Sequence, residues 1–194
     1  RQADSRARHL FVTRFARDQY EQVVELLMPK PLSLPLVYEA GSATAELGQR
    51  EEGSETKDVA IVCAGTSDMP VALEAQHALR FLGRSAPLFA DVGVAGLWRL
   101  MQIAEELSQF RVLIAVAGME GALFSVLAGI VPGLVIAVPR SVGYGVAAGG
   151  QAALSSALAS CSPGLVCVNI DNGFGAAAAA HKLLIATSEP KTVG

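Results

Sequence analysis

Apolar runs and helical spacings alternate most clearly over residues 112–129, VLIAVAGMEGALFSVLAG. Residues 112–117 form an unbroken apolar run of strand length. The chain turns at Gly118 and resumes with helical spacing over 119–128, with the charge of Glu120 at the turn. Strand, tight turn and helix is the unit that places functional groups at the carboxyl edge of a parallel sheet. The same grammar recurs over 59–68 and 166–172. From residue 58 the pattern is regular. It predicts strands over 59–63, 87–91, 112–117, 134–138 and 165–170, and helices over 68–82, 97–107, 119–128, 147–159 and 175–186. Such alternation predicts an α/β fold: a three-layer sandwich with a doubly wound, mainly parallel five-stranded sheet. The alanine string at 176–180 implies close packing of the last helix.

Residues 1–50 do not follow this pattern. A short strand is expected over 10–15. Asp18 is placed to cap a helix over 19–28, whose apolar face is Val23, Val24, Leu26 and Leu27. Pro29, Pro31 and Pro35 end it. Residues 37–47 fit a helix or a strand. Residues 49–57 are polar and read as a boundary. The expected organisation is an amino-terminal appendage over 1–50, a linker over 51–57, a catalytic domain over 58–188 and a tail over 189–194. The basic start, with Arg1, Arg6, Arg8, Arg14 and Arg17, reads as a truncated appendage, with an organellar targeting segment as the other reading. The expected location is cytoplasmic.

The 194 residues are 52% hydrophobic and only 17% charged, which excludes a disordered chain and favours strands buried on both faces. A net charge of −3 without a long basic run argues against nucleic acid as a partner. Residues 121–139 are uncharged and as long as a membrane span, but Pro132-Gly133 divides them into a helix and a strand, so no span is expected. A low surface charge in such a chain points instead to coverage by other subunits. The three cysteines, Cys63, Cys161 and Cys167, have neither metal spacing nor a disulfide framework.

Five segments carry candidate chemistry. Residues 64–68, AGTSD, follow a strand and open a helix, where free N–H groups and the Thr66 and Ser67 hydroxyls favour a phosphate. A plain helix cap by Ser67 or Asp68 explains the same residues. In residues 117–122, AGMEGA, glycines flank Glu120, and apolar surroundings favour the neutral form of an acid, which suits proton transfer. Residues 139–150, PRSVGYGVAAGG, contain Gly143-x-Gly145 and Ala148, part of a dinucleotide pattern, but no acid closes a following strand as that pattern needs. A ligand-covering loop with Arg140 and Tyr144 as contacts is the better reading. Cys161 sits in a loop, SCSPG, where it is open to act as a nucleophile, whereas Cys63 and Cys167 fall within strands. Residues 169–175, NIDNGFG, close the last strand with polar groups. His9, His77 and His181 are scattered, with a surface or packing role as the default.

Six stretches, AGTSDMPVALEA, DVGVAGLWRL, VAGMEGALFSVLAG, IAVPRSVGYG, SCSPG and VNIDNGFGAAAAA, resemble the nickel-pincer cofactor biosynthesis carboxylases, the LarB family. They resemble the aminoimidazole ribonucleotide carboxylases of purine synthesis more distantly. The likeness runs in order from Val59 to Leu184, and Val12-Thr13-Arg14 looks like the later part of the LarB amino-terminal region. Purine carboxylases carry a catalytic histidine in the third strand–helix loop, where this chain has Glu120.

The resemblance implies an enzyme that adds CO2, or bicarbonate as its source, to C5 of the pyridinium ring of nicotinic acid adenine dinucleotide. It also implies hydrolysis of the phosphoanhydride, giving pyridinium-3,5-biscarboxylic acid mononucleotide and AMP. It marks Cys161 as the nucleophile, with Glu120 and Asp68 as the other catalytic residues. Substrate contacts are expected from Gly65, Thr66, Ser67, Asp68, Asp91, Gly118, Met119, Arg140, Ser141, Tyr144, Asp171 and Asn172. Mg2+ is expected only through substrate phosphates, with no metal ligands from the protein. A homo-oligomer is implied, since these families form octamers built from dimers. The competing expectations are an aminoimidazole ribonucleotide carboxylase or mutase, and a non-catalytic nucleotide-binding oligomeric domain.

Overall fold

The computed structural model describes residues 9–29, 32–48 and 56–188. Its first unit is β1 (Leu10–Val12), α1 (Arg17–Leu27), β2 (Leu36–Glu39) and β3 (Thr44–Leu47), whose strands form an antiparallel sheet ordered β1-β3-β2. The ambiguous stretch 37–47 is thus a hairpin. The first strand ends at Val12, short of the expected 15. Asp18 lies inside the first turn of α1 and does not cap it; Gln19 Oε1 instead accepts from the Ala16 N–H at 2.9 Å. Most of the expected linker, the tail over 189–194 and Arg1, Arg6 and Arg8 lie outside the described residues.

The second unit runs β4 (Val59–Cys63), α2 (Met69–Phe81), β5 (Leu88–Phe89), α3 (Leu97–Gln102), α4 (Ala104–Leu107), β6 (Val112–Ala117), α5 (Ala122–Ile130), β7 (Leu134–Pro139), α6 (Gln151–Leu158), β8 (Leu165–Cys167) and α7 (Gly173–Ala186). Its five strands are parallel and ordered β5-β4-β6-β7-β8, so the expected doubly wound α/β sandwich is what forms. Val59 pairs with Val112 and Val112 with Leu134, which sets the ends of β4, β6 and β7 level.

The two faces of the sheet are filled in opposite ways. On one, the strands supply bulk (Ile61, Ile114, Ile136) and α2 and α7 supply small residues (Ala72, Ala75, Ala176, Ala180). That is why the alanine string is where it is: it lets α7 lie close to both α2 and the sheet. On the other face the strands supply alanines (Ala60, Ala115, Ala137), and α5 fills the space with Leu123, Phe124 and Leu127. Alternating large and small partners is how a core reaches close packing without voids. Phe11 of β1 stacks on Phe81 and Phe174, at 5.4 and 6.3 Å between ring centroids, joining the appendage to the ends of α2 and α7.

Several boundaries differ from expectation, mostly for backbone reasons. The helix expected from 119 starts at Ala122, because Met119 (φ 53) and Gly121 (φ 65) are left-handed. The strand expected to reach 91 is only Leu88–Phe89, and Asp91 (φ 57) has already turned away. The helix over 97–107 breaks at Ile103 (φ −106, ψ 2). The helix over 147–159 is Gln151–Leu158, behind a short 3-10 segment. The last strand stops at Cys167, three residues early. No helix among the described residues is long and apolar enough to cross a membrane.

Phe124 is fully buried among α5, β6 and β7 neighbours. Phe124→Ala is expected to lower stability by about 3–5 kcal/mol, measured as a drop in the urea midpoint at unchanged slope.

Candidate functional site

In a sheet ordered β5-β4-β6-β7-β8 the chain leaves β4 toward one edge and returns to β6 on the other side. The loops after β4 and β6 diverge there, and a crevice opens at the carboxyl ends of the strands. A cavity of about 430 Å³ occupies this place. One wall is the turn with Gly65, Ser67 and Asp68; another is Gly118, Met119 and Glu120; Val142, Gly143 and Tyr144 stand over it. Residues 93–95 form a further wall that the sequence reading missed. Its signal was Gly93, which packs so tightly on the end of β4 that an added Cβ would lie 2.7 Å from the Ala64 carbonyl oxygen. Gly118 is needed for a similar reason: a Cβ there would lie 2.5 Å from the Val142 carbonyl oxygen.

Residues 66–68 form one 3-10 turn leading directly into α2, so the first N–H groups of a long helical run face the cavity end of the segment. Asp68 is only 3% exposed. Its Oδ2 accepts from the Gly65 N–H at 2.8 Å. Burial pushes its carboxyl up from the ordinary range, against the opposing pull of the Gly65 N–H, the Arg140 guanidinium and the Gly118 N–H. The result is a carboxyl at the cavity wall that takes up a proton at higher pH than a free aspartate does. The burial expected around Glu120 is found at Asp68 instead. Glu120 is exposed, presented to the cavity between the left-handed Met119 and Gly121.

Arg140 is buried and lies beneath the cavity, outside its lining. Its Nη1 donates to Asp171 Oδ1, its Nη2 donates to the Ser67 carbonyl at 3.2 Å, and its Nε stands 3.9 Å from Asp68 Oδ1. Asp171 Oδ1 also accepts from the Ser141 N–H at 3.0 Å. Burial alone would push the Asp171 carboxyl up; bonds from Ser141 and the Arg140 guanidinium outweigh that and hold it below the usual aspartate value. Asn172 caps α7, its Oδ1 accepting from the Gly175 N–H at 2.8 Å. These residues brace the loops from behind.

Of the sequence-predicted residues, Gly65, Ser67, Asp68, Gly118, Met119, Glu120 and Tyr144 line the cavity together. Thr66 is exposed in the same turn but is not part of the lining, and Asp91 pairs with Arg99 at 3.4 Å outside it. Arg140, Ser141, Asp171 and Asn172 are not part of the lining. Cys161 is exposed in the turn that enters β8, at the amino edge of the sheet, and the chain does not bring it to its own cavity. Cys63, at the end of β4, is buried, and burial pushes its thiol up. His77 bonds to the Ser42 hydroxyl at 3.0 Å, a packing role. Among the described residues, no three His, Cys, Asp or Glu side chains are grouped to hold a metal.

Arg140→Met would leave Asp68 and Asp171 without their shared cation, and a loss of about 3–5 kcal/mol is expected in urea unfolding at neutral pH. The Asp171 carboxyl should contribute fully above the ordinary value of 3.8 and lose its contribution as pH falls through its lowered value. Asp171→Asn should therefore flatten the acid limb of a Tm-against-pH curve.

Comparison with known proteins agrees with this architecture. Residues 58–192, well over half of the chain, match the AIR carboxylase family model. An uncharacterized protein of Methanocaldococcus jannaschii is 48% identical over 120 residues, 61% of this chain and 46% of that protein, so the chain spans about half of that relative's length. Among solved structures, a Treponema denticola PurE2 variant superposes with a TM-score of 0.54 at 22% identity, covering 68% of this chain and 81% of that one. Treponema denticola PurE gives 0.52 at 23%, covering 68% and 82%. At these identities the two structures speak to the fold alone, and they agree with the parallel α/β sheet described above. With the family model covering all five strands of that sheet, the chain belongs to the AIR carboxylase family.

Proposed function

We propose that the chain is a carboxylase acting on the ring of a nucleotide, and that the ring is the pyridinium of nicotinic acid adenine dinucleotide. The observation that carries the reading is the cavity itself. An anion-favouring turn at 65–68 stands at one side and a carboxyl-bearing segment at 119–120 at another, with apolar walls between them for a flat ring.

The chemistry sets what the residues must do. A pyridinium ring is electron-poor, so its C5 does not attack CO2. Thiolate addition at C4 converts it to a 1,4-dihydropyridine in which C5 is the nucleophilic carbon of an enamine. C5 then bonds to CO2. Loss of the C5 proton to a base and departure of the thiolate restore the aromatic ring, with no net oxidation. Cys161 is the thiolate in this reading and Glu120 the base. Asp68 and Ser67 hold the ribose-phosphate side. Water then cleaves the anhydride to release AMP. Mg2+ bound through the substrate phosphates would polarise that bond, in keeping with the lack of a grouped protein cage among the described residues.

A second reading is favoured by the family match: carboxylation or carboxyl migration on aminoimidazole ribonucleotide. It uses the same turn for the 5′-phosphate but requires another group in place of the histidine that purine carboxylases resemble each other in carrying. The third is a nucleotide-binding domain that holds either nucleotide without turnover.

Incubation with nicotinic acid adenine dinucleotide, bicarbonate and Mg2+ should yield AMP and a mononucleotide heavier than nicotinic acid mononucleotide by one CO2. Product from aminoimidazole ribonucleotide and none from the dinucleotide would establish the second reading. Binding of either nucleotide without product would leave the third. Glu120→Gln should lower kcat by about 10²- to 10⁴-fold with little change in KM, and Cys161→Ser should abolish carboxylation with an unchanged circular dichroism spectrum.

A further inference from the structure

We infer that a second cavity, at the amino edge of the parallel sheet, is a binding site for a phosphoryl group held by Arg80, Arg84 and His77. The inference is independent of the carboxylase reading, which concerns the opposite edge.

This cavity has a volume of about 140 Å³ and is lined by Gln76, His77, Arg80, Arg84, Ser85 and Ala86. Its place follows from how α2 ends. Gly83 is left-handed (φ 78), its N–H donates to the Arg80 carbonyl at 2.8 Å, and the Arg84 N–H donates to the Leu79 carbonyl at 2.9 Å. This is a Schellman turn. It engages terminal carbonyls of the helix within its own chain and brings the side chains of residues 80 and 84 to one space. The thirteen residues of α2 hold that space about 20 Å from the crevice at Asp68.

The arginines there have more donors than the fold takes up. Their side chains are each only 18% exposed. Arg84 Nε donates to His181 Nδ1 at 3.0 Å and its Nη1 to Asp58 Oδ2 at 3.2 Å, which leaves Nη2. Arg80 Nη2 comes within 3.6 Å of Glu46 Oε2, and its Nε is buried without a hydrogen-bond partner. A buried N–H left in that state is unfavourable, and more so on a charged group. Were the two arginines only struts, their charges would be answered by Glu46 and Asp58. Asp58, however, is shared with Arg111 at 3.5 Å. Among the described residues no carboxylate lines the cavity.

The rest of the lining completes an acceptor-binding set. His77 Nδ1 is held by the Ser42 and Thr44 hydroxyls at 3.0 and 3.3 Å, so Nε2 is the ring nitrogen left to meet a ligand. Burial and the Arg80 charge hold this imidazole below its usual value, so at neutral pH it adds a polar contact and not a third charge. Gln76 Nε2 donates to the Ala86 carbonyl at 2.9 Å and ties the wall together. Two guanidinium forks and one imidazole around so small a space suit a tetrahedral dianion. A second space of about 510 Å³ shares Gln76, Ser85 and Ala86 with the first and reaches Lys57 and Phe110. The Lys57 Nζ stands 4.8 Å from the Phe110 ring centroid. The body of a small phosphate ester fits there, with its phosphoryl group between the arginines.

The test reads the ring signals of the three histidines of the full chain by NMR, at fixed pH. Inorganic phosphate should shift the His77 signals to saturation, and sodium chloride at the same ionic strength should not. No histidine lies at the 65–68 turn, so a phosphate bound in the crevice is not what is read. Arg80→Met and Ser85→Glu should each weaken the binding about ten-fold or more. The second variant leaves the Arg80–Glu46 contact in place, so a loss of folding does not stand in for a loss of ligand. Ribose 5-phosphate binding more tightly than inorganic phosphate would put the sugar in the adjoining space, and equal affinities would make the free anion the ligand. His77 signals that do not move, or that move with unchanged affinity in Ser85→Glu, overturn the inference.

Discussion

The segments after β4, β7 and β8 are held together by one buried guanidinium. Arg140 reaches Asp171, the Ser67 carbonyl and the neighbourhood of Asp68 at once, and its planar fork suits three partners in different directions. Two carboxyls facing one cation leave a surplus of negative charge if both ionise. The protein resolves this unequally. Asp171 has the direct bonds and stays ionised, whereas burial drives Asp68 toward its neutral form. The cavity wall therefore carries a carboxyl whose protonation responds to what binds beside it. A phosphate arriving at the 65–68 turn adds negative charge and favours the protonated state further.

The opposite filling of the two sheet faces has a bearing on the same place. Alanines on β4, β6 and β7 toward α5 leave that helix room to lean in, so its first turn, with Ala122 and Leu123, reaches the cavity. On the other face the alanines are on the helices, and the tight contact of α2 with α7 fixes both the 65–68 turn ahead of α2 and the cap at Asn172. The turn's position is thus a result of packing well outside the cavity.

Much of this is legible in the residue pattern. Strands β4 and β6 match expectation to the residue, because runs buried on both faces leave no ambiguity of period. The cavity's place at the strand ends follows from the alternation alone. What the pattern hides is backbone handedness at non-glycine positions: Asp91, Met119 and Asp171 are all left-handed, and although aspartate adopts that region more readily than most residues, nothing in the Met119 side chain announces it. Direction is hidden too. Arg140, Asp171 and Asn172 stand at the proper edge, but whether such groups face the crevice or brace it from behind depends on neighbours remote in sequence. The amino-edge position of Cys161, by contrast, follows from its standing before a strand, and reading it by motif alone passes over that fact.

The outermost strands of the parallel sheet, β5 and β8, are two and three residues long. Rims so brief offer an incoming chain almost no main-chain donors and acceptors to zip onto. A neighbour docking at this sheet must consequently recognise the shapes of its loops and helices, and these two rims give a misfolded copy little template from which a fibre could grow.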